Sequence, residues 1–181
     1  MILATLLLNR NSYGADLPPG KQVIFLARVI AYDANLKERA GSTINIGILT
    51  QKGDKESEKM SAALLKAFMS LESATILGLS VKVSQLYYAG RESLDRAVRD
   101  QGVDTLYVCS GLDANLAEVK SVARARKVLT AGSHEGYLKL GLSLGVFEID
   151  GKNTILVNLD ASRAEGVAFG PDLLRLATVV K

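Results

Sequence analysis

The side chains best suited to chemistry in this sequence are those of Ser110 and His134. Ser110 directly follows the apolar run at 105–109, and His134, the only histidine, lies in a polar segment after the next predicted strand. Because neighbouring parallel strands end at the same edge of a sheet, the two side chains could form the serine–histidine pair of a hydrolase. The sequence around Ser110 is not the G-x-S-x-G turn that exposes a nucleophilic serine, and a lone loop histidine is usually a surface residue. A hydrolase is therefore the weakest function that we retain.

Metal and cofactor chemistry finds no support in the sequence. One cysteine and one histidine can form neither an internal disulfide nor a zinc site, and Cys109 is best explained as a small buried side chain on a strand. No P-loop or G-x-G-x-x-G motif follows a predicted strand, and Gly141 and Gly145 precede a hairpin rather than open a helix. No catalytic residue, metal ligand or cofactor is predicted, and we expect a protein that is not an enzyme.

The polar segments that follow three predicted strands are better interpreted as a recognition surface. By topology, segments 50–51, 110–112 and 133–135 should meet at one edge of a parallel sheet. Asp113 is predicted to cap the next helix, whose free N–H groups could accept an anion. The alternative is that these loops only connect strands to helices and bind nothing. The residues of this predicted ligand or partner surface are Thr50, Gln51, Ser110, Gly111, Leu112, Ser133, His134 and Glu135.

The spacing of apolar residues predicts a single α/β domain with a mostly parallel sheet flanked by helices and an antiparallel hairpin near the C-terminus. Strands that alternate with helices imply the parallel sheet, and Asp150-Gly151 between two apolar runs predicts the hairpin. Helices are predicted over 21–40, from about 59, over 91–101, after Asp113 and from Pro171 to about 180; strands are predicted over 44–49, 80–88, 104–109, 128–130, 144–149 and 154–158.

Composition excludes several classes of function. The 181 residues suffice for one domain, and 48% hydrophobic against 23% charged residues predicts a folded chain. The net charge is +3, and the basic residues are scattered without aromatic platforms, so nucleic-acid binding is not expected. No stretch approaches the roughly 20 apolar residues of a transmembrane helix, so the protein is not expected to span a membrane.

The N-terminus has features of an export signal. An apolar run at 2–8 precedes Tyr13-Gly14-Ala15, which ends in small residues suited to cleavage, although the basic region that opens a signal peptide is missing. Residues 1–15 are therefore predicted to be a truncated signal peptide. An ordinary first strand or helix is the alternative.

Two stretches resemble the YfiR-like family. The first is FLARVIAYDANLKERAG at 25–41, followed by the predicted strand at 45–49. The second is VNLDASRAEGVAFGPDLLRLA at 157–177, in which an asparagine closes a strand and a Leu-Leu-x-Leu-Ala helix finishes the domain. The resemblance covers residues 20–181.

The resemblance implies a periplasmic regulator from a Gram-negative bacterium. Such a protein binds a membrane-anchored signalling protein, as the named family member restrains the periplasmic part of a diguanylate cyclase and lowers cyclic-di-GMP output. It also implies a homodimer. The family's stabilising disulfides cannot form within this chain, because Cys109 is the only cysteine.

Three residues in the first stretch are further candidates for contact. Tyr32, Asp33 and Asn35 lie at the predicted end of the first helix, where they could contact the recognition surface or a partner. Capping and solvation are their alternative role. A second function also stays open: a periplasmic solute-binding protein linked to a transporter or an outer-membrane receptor, although 181 residues provide only one of the usual two lobes.

Overall fold

A computed structural model describes residues 15–70 and 75–180, so residues 1–14 of the predicted signal peptide lie outside the described chain. The strands are β1 (Ala15–Asp16), β2 (Thr43–Gln51), β3 (Ser80–Tyr88), β4 (Thr105–Val108), β5 (Leu129–Gly132), β6 (Leu144–Ile149), β7 (Lys152–Asn158) and β8 (Ala177–Val180). The helices are α1 (Pro19–Ile30), α2 (Leu36–Ala40), α3 (Lys55–Met69), α4 (Arg91–Asp100), α5 (Leu116–Arg126), α6 (Glu135–Lys139), α7 (Leu159–Ala164) and α8 (Pro171–Leu174).

The strands form one sheet in the order β3-β2-β4-β5-β6-β7-β8, and β1 pairs with β6. Neighbours among β2 to β6 are parallel, whereas β7 runs antiparallel to β6. The turn between β6 and β7 has positive φ at both Asp150 and Gly151, the geometry that suits a two-residue hairpin. The predicted α/β class, the mostly parallel sheet and the C-terminal hairpin are confirmed.

Alternating strand residues build a core on each face of the sheet. Ile46 and Ile48 of β2 pack with α1, α2 and α3 on one face. Leu49 of β2 and Val108 of β4 pack with α4, α5 and α6 on the other. Since successive strand residues point to opposite faces, β2 is buried from Ile46 to Thr50 and β4 along its whole length, as a doubly covered parallel sheet requires.

The single helix predicted over 21–40 is wrong. The chain leaves the helix after Ile30 and resumes it at Leu36. Within the break, the Asp33 carboxylate accepts hydrogen bonds from Asn35 N at 3.0 Å and Ala168 N at 2.9 Å. Because an aspartate that bonds nearby backbone N–H groups offers the chain an alternative to helical hydrogen bonding, the helix divides here.

The final helix predicted from Pro171 to about 180 is also wrong beyond its first turn. The helix ends at Leu174, and Ala177–Val180 forms β8 parallel to β7, with Ile155 opposite Ala177. Thr178, Val179 and Val180 are β-branched, which favours a strand, and the open edge of β7 supplies the backbone partners. Leu176, between α8 and β8, is 63% exposed.

Candidate functional site

The structure brings the predicted recognition segments to one edge of the sheet. β2, β4 and β5 are adjacent and parallel, so their carboxyl ends lie side by side. The ladder continues past the strands, because Cys109 N donates to Leu49 O at 3.0 Å and Ser133 N donates to Val108 O at 3.1 Å. We define the rim as residues 50–54, 110–113 and 133–137.

Thr50 and Gln51 belong to a strand and not to a loop as predicted. They are the last two residues of β2 and pair with Tyr87 and Tyr88 of β3. Thr50 is fully buried, whereas Gln51 is half-buried. The loop begins at Lys52, because pairing with β3 extends the strand further than its apolar pattern.

Tyr137 joins two of the rim segments. Its hydroxyl accepts a hydrogen bond from Leu112 N at 2.9 Å and donates to Asp113 Oδ2 at 3.2 Å. The ring of His134 lies against the Tyr137 ring, with 3.9 Å between centroids, and His134 Nε2 is 3.8 Å from Asp113 Oδ1. The sequence interpretation missed Tyr137, because only the register of β4 and β5 places it beside segment 110–113.

Asp113 does not cap a helix as predicted. It opens a short 3-10 turn over Asp113–Asn115, and α5 begins at Leu116. No side chain caps the start of α5, and the Asp113 carboxylate is engaged by Tyr137 instead. The helix whose N–H groups were expected to accept an anion therefore begins at Leu116, after the 3-10 turn.

Asp54 joins the other pair of rim segments. Its Oδ1 accepts from Ser57 N at 2.8 Å and caps α3. Gly111 has φ +82°, and a Cβ built on it would lie 2.8 Å from Asp54 Oδ2, so only glycine lets the backbone approach this carboxylate. An aspartate before a helical pattern is a cap signal that could have revealed Asp54 from the sequence.

Buried polar atoms without a partner are concentrated at the rim. Within the described chain, five buried side-chain N or O atoms lack a hydrogen-bond partner, and three of them are Gln51 Oε1, Ser110 Oγ and Ser133 Oγ. The others belong to Ser61 and Thr105. Since buried polar groups almost always find partners, each exception calls for a physical reason.

The rim does not assemble a nucleophile and a base. Ser110 Oγ has no hydrogen-bond partner, and the His134 ring contacts Tyr137 and Asp113. Within the described residues, no three His, Cys, Asp or Glu side chains lie close enough to hold a metal ion. Glu135 forms an ion pair with Lys139 at 2.7 Å. The arrangement offers groups for binding, and no side chain of residues 15–70 or 75–180 forms a hydrogen bond with Ser110 Oγ.

Comparison with protein families decides where the chain belongs. The model of the YfiR/HmsC-like family matches residues 22–178. The chain belongs to the YfiR/HmsC-like family. The resemblance carried by 25–41 and 157–177 is thereby confirmed. A comparison with curated proteins finds no match.

Solved structures share the fold of this YfiR/HmsC-like chain. A conserved domain protein from Vibrio cholerae has a TM-score of 0.62 at 15% identity, over 92% of this chain and 61% of that one. The ABC domain from Streptococcus pneumonia, solved in complex with L-Trp, has a TM-score of 0.61 at 13% identity, over 91% and 60%. A ligand-free substrate-binding protein from Clostridium difficile has a TM-score of 0.55 at 16% identity, over 81% and 57%. The chain spans about three fifths of these structures, and such identities establish the fold alone.

Asp33 and Asn35 of the YfiR/HmsC-like chain do not contact the rim, which was the first of the two contacts suggested for them. The Asp33 side chain is fully buried in an ion pair with Arg39, and Asn35 Nδ2 donates to Gly166 O at 3.0 Å. Arg39 also donates to the carbonyls of Asp104 and Lys127, just before β4 and β5. Asp33, Asn35 and Arg39 therefore lie at the amino ends of the strands, opposite the rim. Of the three candidates, Tyr32 is the exposed one.

Within the described chain, no helix is long and apolar enough to cross a membrane.

Cys109 lies fully buried beneath the rim of the YfiR/HmsC-like domain. Burial raises the pKa of its thiol to about 12, although a hydrogen bond with Thr50 acts in the opposite direction. Because the thiolate is the reactive form, a thiol with this pKa is a poor nucleophile and a poor redox group at neutral pH.

We expect Cys109 to resist a water-soluble thiol reagent in the folded protein. Raising the thiol pKa from 9.0 to about 12 lowers the thiolate fraction roughly a thousandfold, and burial blocks access as well. Absorbance with dithionitrobenzoate measures the rate, and the same chain in guanidinium chloride serves as control and should react fully. Rapid, complete modification of the native protein would contradict the structure.

Proposed function

We propose that the chain is a periplasmic, non-enzymatic regulator that binds the periplasmic part of a membrane-anchored signalling protein, such as a diguanylate cyclase. The observation that carries this proposal is membership of the YfiR/HmsC-like family over residues 22–178. The lack of an activated nucleophile at the rim also supports binding over catalysis. A homodimer belongs to the same proposal.

The rim is the proposed contact surface for the signalling protein. Gly111 and Asp113 are exposed and His134 is partly exposed. Tyr137 and Asp54 hold the loops that carry these residues in place. A surface whose loops are already fixed loses little conformational entropy on binding, which favours specific recognition.

The test measures binding and its consequence for the signalling protein together. The chain is co-expressed in a Gram-negative host with a membrane diguanylate cyclase of the same genome. Binding of the cyclase's purified periplasmic domain is measured by calorimetry, and cellular cyclic-di-GMP by mass spectrometry. The wild-type chain should bind and lower cyclic-di-GMP. His134→Glu places a charge on the rim and should weaken binding about tenfold or more.

The matched control is Asn153→Glu, which introduces the same charge at an exposed position in the β6–β7 hairpin. It should bind as the wild type does. If the wild type neither binds the periplasmic domain nor lowers cyclic-di-GMP, the regulator proposal is wrong. Equal binding by His134→Glu and Asn153→Glu would show that the rim is not part of the interface.

Solute binding is the second candidate function, because unpaired polar atoms lie at the strand ends where α/β folds take ligands. In that case the partner would be a transporter or an outer-membrane receptor. A hydrolase using Ser110 and His134 has the least support, since the structure does not bring the two side chains into a hydrogen bond.

A further inference from the structure

The outer edge of β3 has no strand partner. β3 stands first in the order of the sheet, and within the described chain only β2 pairs with it. The nine residues of β3 pair one-to-one with β2, from Ser80 opposite Thr43 to Tyr88 opposite Gln51, so no bulge interrupts the strand. An edge strand of this kind presents a row of N–H and C=O groups that can bond another chain.

β3 has few of the features that usually protect an edge strand from pairing with another chain. Protected edge strands are short or bulged, or they carry proline or charged residues. β3 has nine residues without proline, and its one charged residue is Lys82. The strand at the opposite edge of the sheet, β8, has only four residues. The edge of β3 is therefore the longer of the two and is better suited to strand pairing.

The sequence of β3 is complementary to itself when two copies run antiparallel. Full overlap of two nine-residue strands places Ser84 opposite Ser84 of the second copy, because Ser84 is the central residue. Val81 then lies opposite Tyr87, and β-branched and aromatic side chains in this position stabilise antiparallel strands. Tyr87 is 50% exposed, so its ring is available for this contact.

The same register keeps like charges apart. Lys82, the only charged residue of β3, lies opposite Leu86 of the second copy. The two Lys82 residues are then about four positions apart along the paired strands, which corresponds to roughly 13 Å. Like charges directly opposite one another destabilise paired strands, and this register contains none. A second copy of the chain therefore suits both the charge and the side chains of this edge.

Exposed apolar side chains lie around the edge of β3. Met69, Leu77 and Tyr87 are 64%, 50% and 50% exposed, and they are three of the eight large hydrophobic side chains that are exposed in the described chain. Because α3 connects the parallel strands β2 and β3, its last residue, Met69, lies at their amino ends, as does Leu77 just before β3. A two-fold axis brings the amino end of one β3 beside the carboxyl end of the other, so pairing covers apolar surface at both ends of the interface.

We propose that two copies of the chain pair through the open edges of β3 to form one continuous sheet, with the strands antiparallel and Ser84 beside the two-fold axis. This inference names the surface of the homodimer and rests on that part of the proposed function. Antiparallel pairing directs the two rims to opposite ends of the combined sheet, where each remains open to a signalling protein. The experiments use the chain alone, so failure of dimerisation and failure to bind a periplasmic domain are separate results.

Cysteine cross-linking tests the register. Opposite residues of antiparallel strands have Cα atoms about 4.5–5.5 Å apart, within the range that a disulfide spans. Ser84→Cys, oxidised with copper phenanthroline at micromolar protein concentration, should therefore give mainly covalent dimer on a non-reducing gel. Lys82→Cys is the matched control, because its two cysteines would be roughly 13 Å apart along the strands and should give about tenfold less dimer. The wild type should not cross-link, since Cys109 is fully buried.

Sedimentation velocity tests the surface without added cysteines. The wild-type chain should sediment as a dimer at micromolar concentration. Tyr87→Lys places a charge beside the edge of β3 and should raise the Kd of the dimer about tenfold or more. Val179→Lys is the matched control, because Val179 is 47% exposed in β8 at the other edge of the sheet, and it should leave the Kd unchanged. Circular dichroism checks that both variants fold.

Four results would each overturn the inference. A wild-type chain that stays monomeric up to millimolar concentration would exclude the dimer. Equal cross-linking by Ser84→Cys and Lys82→Cys would exclude the register. Dissociation by Val179→Lys and not by Tyr87→Lys would assign the interface to β8, and an unchanged Kd in both lysine variants would assign it to another surface. If Tyr87→Lys fails to fold, the cross-linking of Ser84→Cys against Lys82→Cys decides the result.

Discussion

Replacing Asp33 by alanine should lower the free energy of unfolding by about 3–5 kcal/mol, the usual cost of removing one partner from a buried ion pair. The Asp33 side chain is fully buried, and that of Arg39 is 11% exposed. Two Arg39 nitrogens donate to Asp33 Oδ2, at 2.7 and 3.3 Å, while Oδ1 accepts from Asn35 N and Ala168 N. Alanine would leave two backbone N–H groups and a largely buried guanidinium without this acceptor.

Urea unfolding followed by circular dichroism measures the loss. Asp33→Asn keeps an acceptor for the backbone N–H groups but removes the charge, so its loss should be smaller. Asp172→Ala is the matched control, because its ion pair with Arg175 is exposed and such pairs stabilise little. An unfolding midpoint for Asp33→Ala equal to that of Asp172→Ala would mean that the buried pair does not hold the C-terminal segment.

Asp33 also shows where the sequence could not reveal the fold. The apolar residues over 21–40 do have helical spacing. The helix is interrupted because the Asp33 carboxylate accepts a hydrogen bond from the backbone N–H of Ala168, 135 residues away. Local patterns carry no record of such a contact. The hairpin at Asp150-Gly151 was predictable because its cause, positive φ at two successive residues, is local.

β8 illustrates a conflict between two local signals. Leu173, Leu174 and Leu176 have helical spacing, while residues 178–180 are all β-branched. The free edge of β7 decides in favour of the strand, because an unpaired strand edge offers hydrogen bonds that an isolated helical turn cannot match. Only knowledge of the sheet order could have shown that this edge is open.

The location of the rim was predictable, and its internal contacts were not. Topology alone brings the carboxyl ends of β2, β4 and β5 together. The bonds of Tyr137 to Leu112 and Asp113 depend on the exact positions of two loops, and the unpaired state of Ser133 depends on all its neighbours. Residue type and spacing do not contain that information.

The contribution of Glu165 to the free energy of unfolding should fall by about 3 kcal/mol as pH rises from 4.5 to 7. Glu165 is fully buried, which raises the pKa of its carboxyl from 4.5 to about 7. Hydrogen bonds from Ser143 Oγ, Thr130 N and Thr130 Oγ1 act in the opposite direction without cancelling the effect of burial. The charge of Arg124 also lowers the pKa.

The sign follows from proton binding. Between pH 4.5 and 7, the unfolded glutamate is ionised while the folded one still holds its proton, so the unfolded state binds fewer protons. The stabilisation is therefore complete below pH 4.5 and is lost as pH rises through 7. Urea unfolding at several pH values, for the wild type and for Glu165→Gln, measures it.

The comparison with Glu165→Gln is needed because other carboxyls contribute slopes of both signs. The Arg126 hydrogen bond lowers the pKa of Asp95, so that group stabilises more as pH rises, whereas burial raises the pKa of Asp104, which acts in the same direction as Glu165. Since glutamine cannot ionise, the difference between the two unfolding free energies isolates Glu165. The wild type should lose stability relative to Glu165→Gln as pH rises towards 7. Parallel curves would show that the Glu165 carboxyl ionises as readily in the folded chain as in the unfolded one. In that case the three hydrogen bonds that it accepts would offset the whole effect of burial on its pKa.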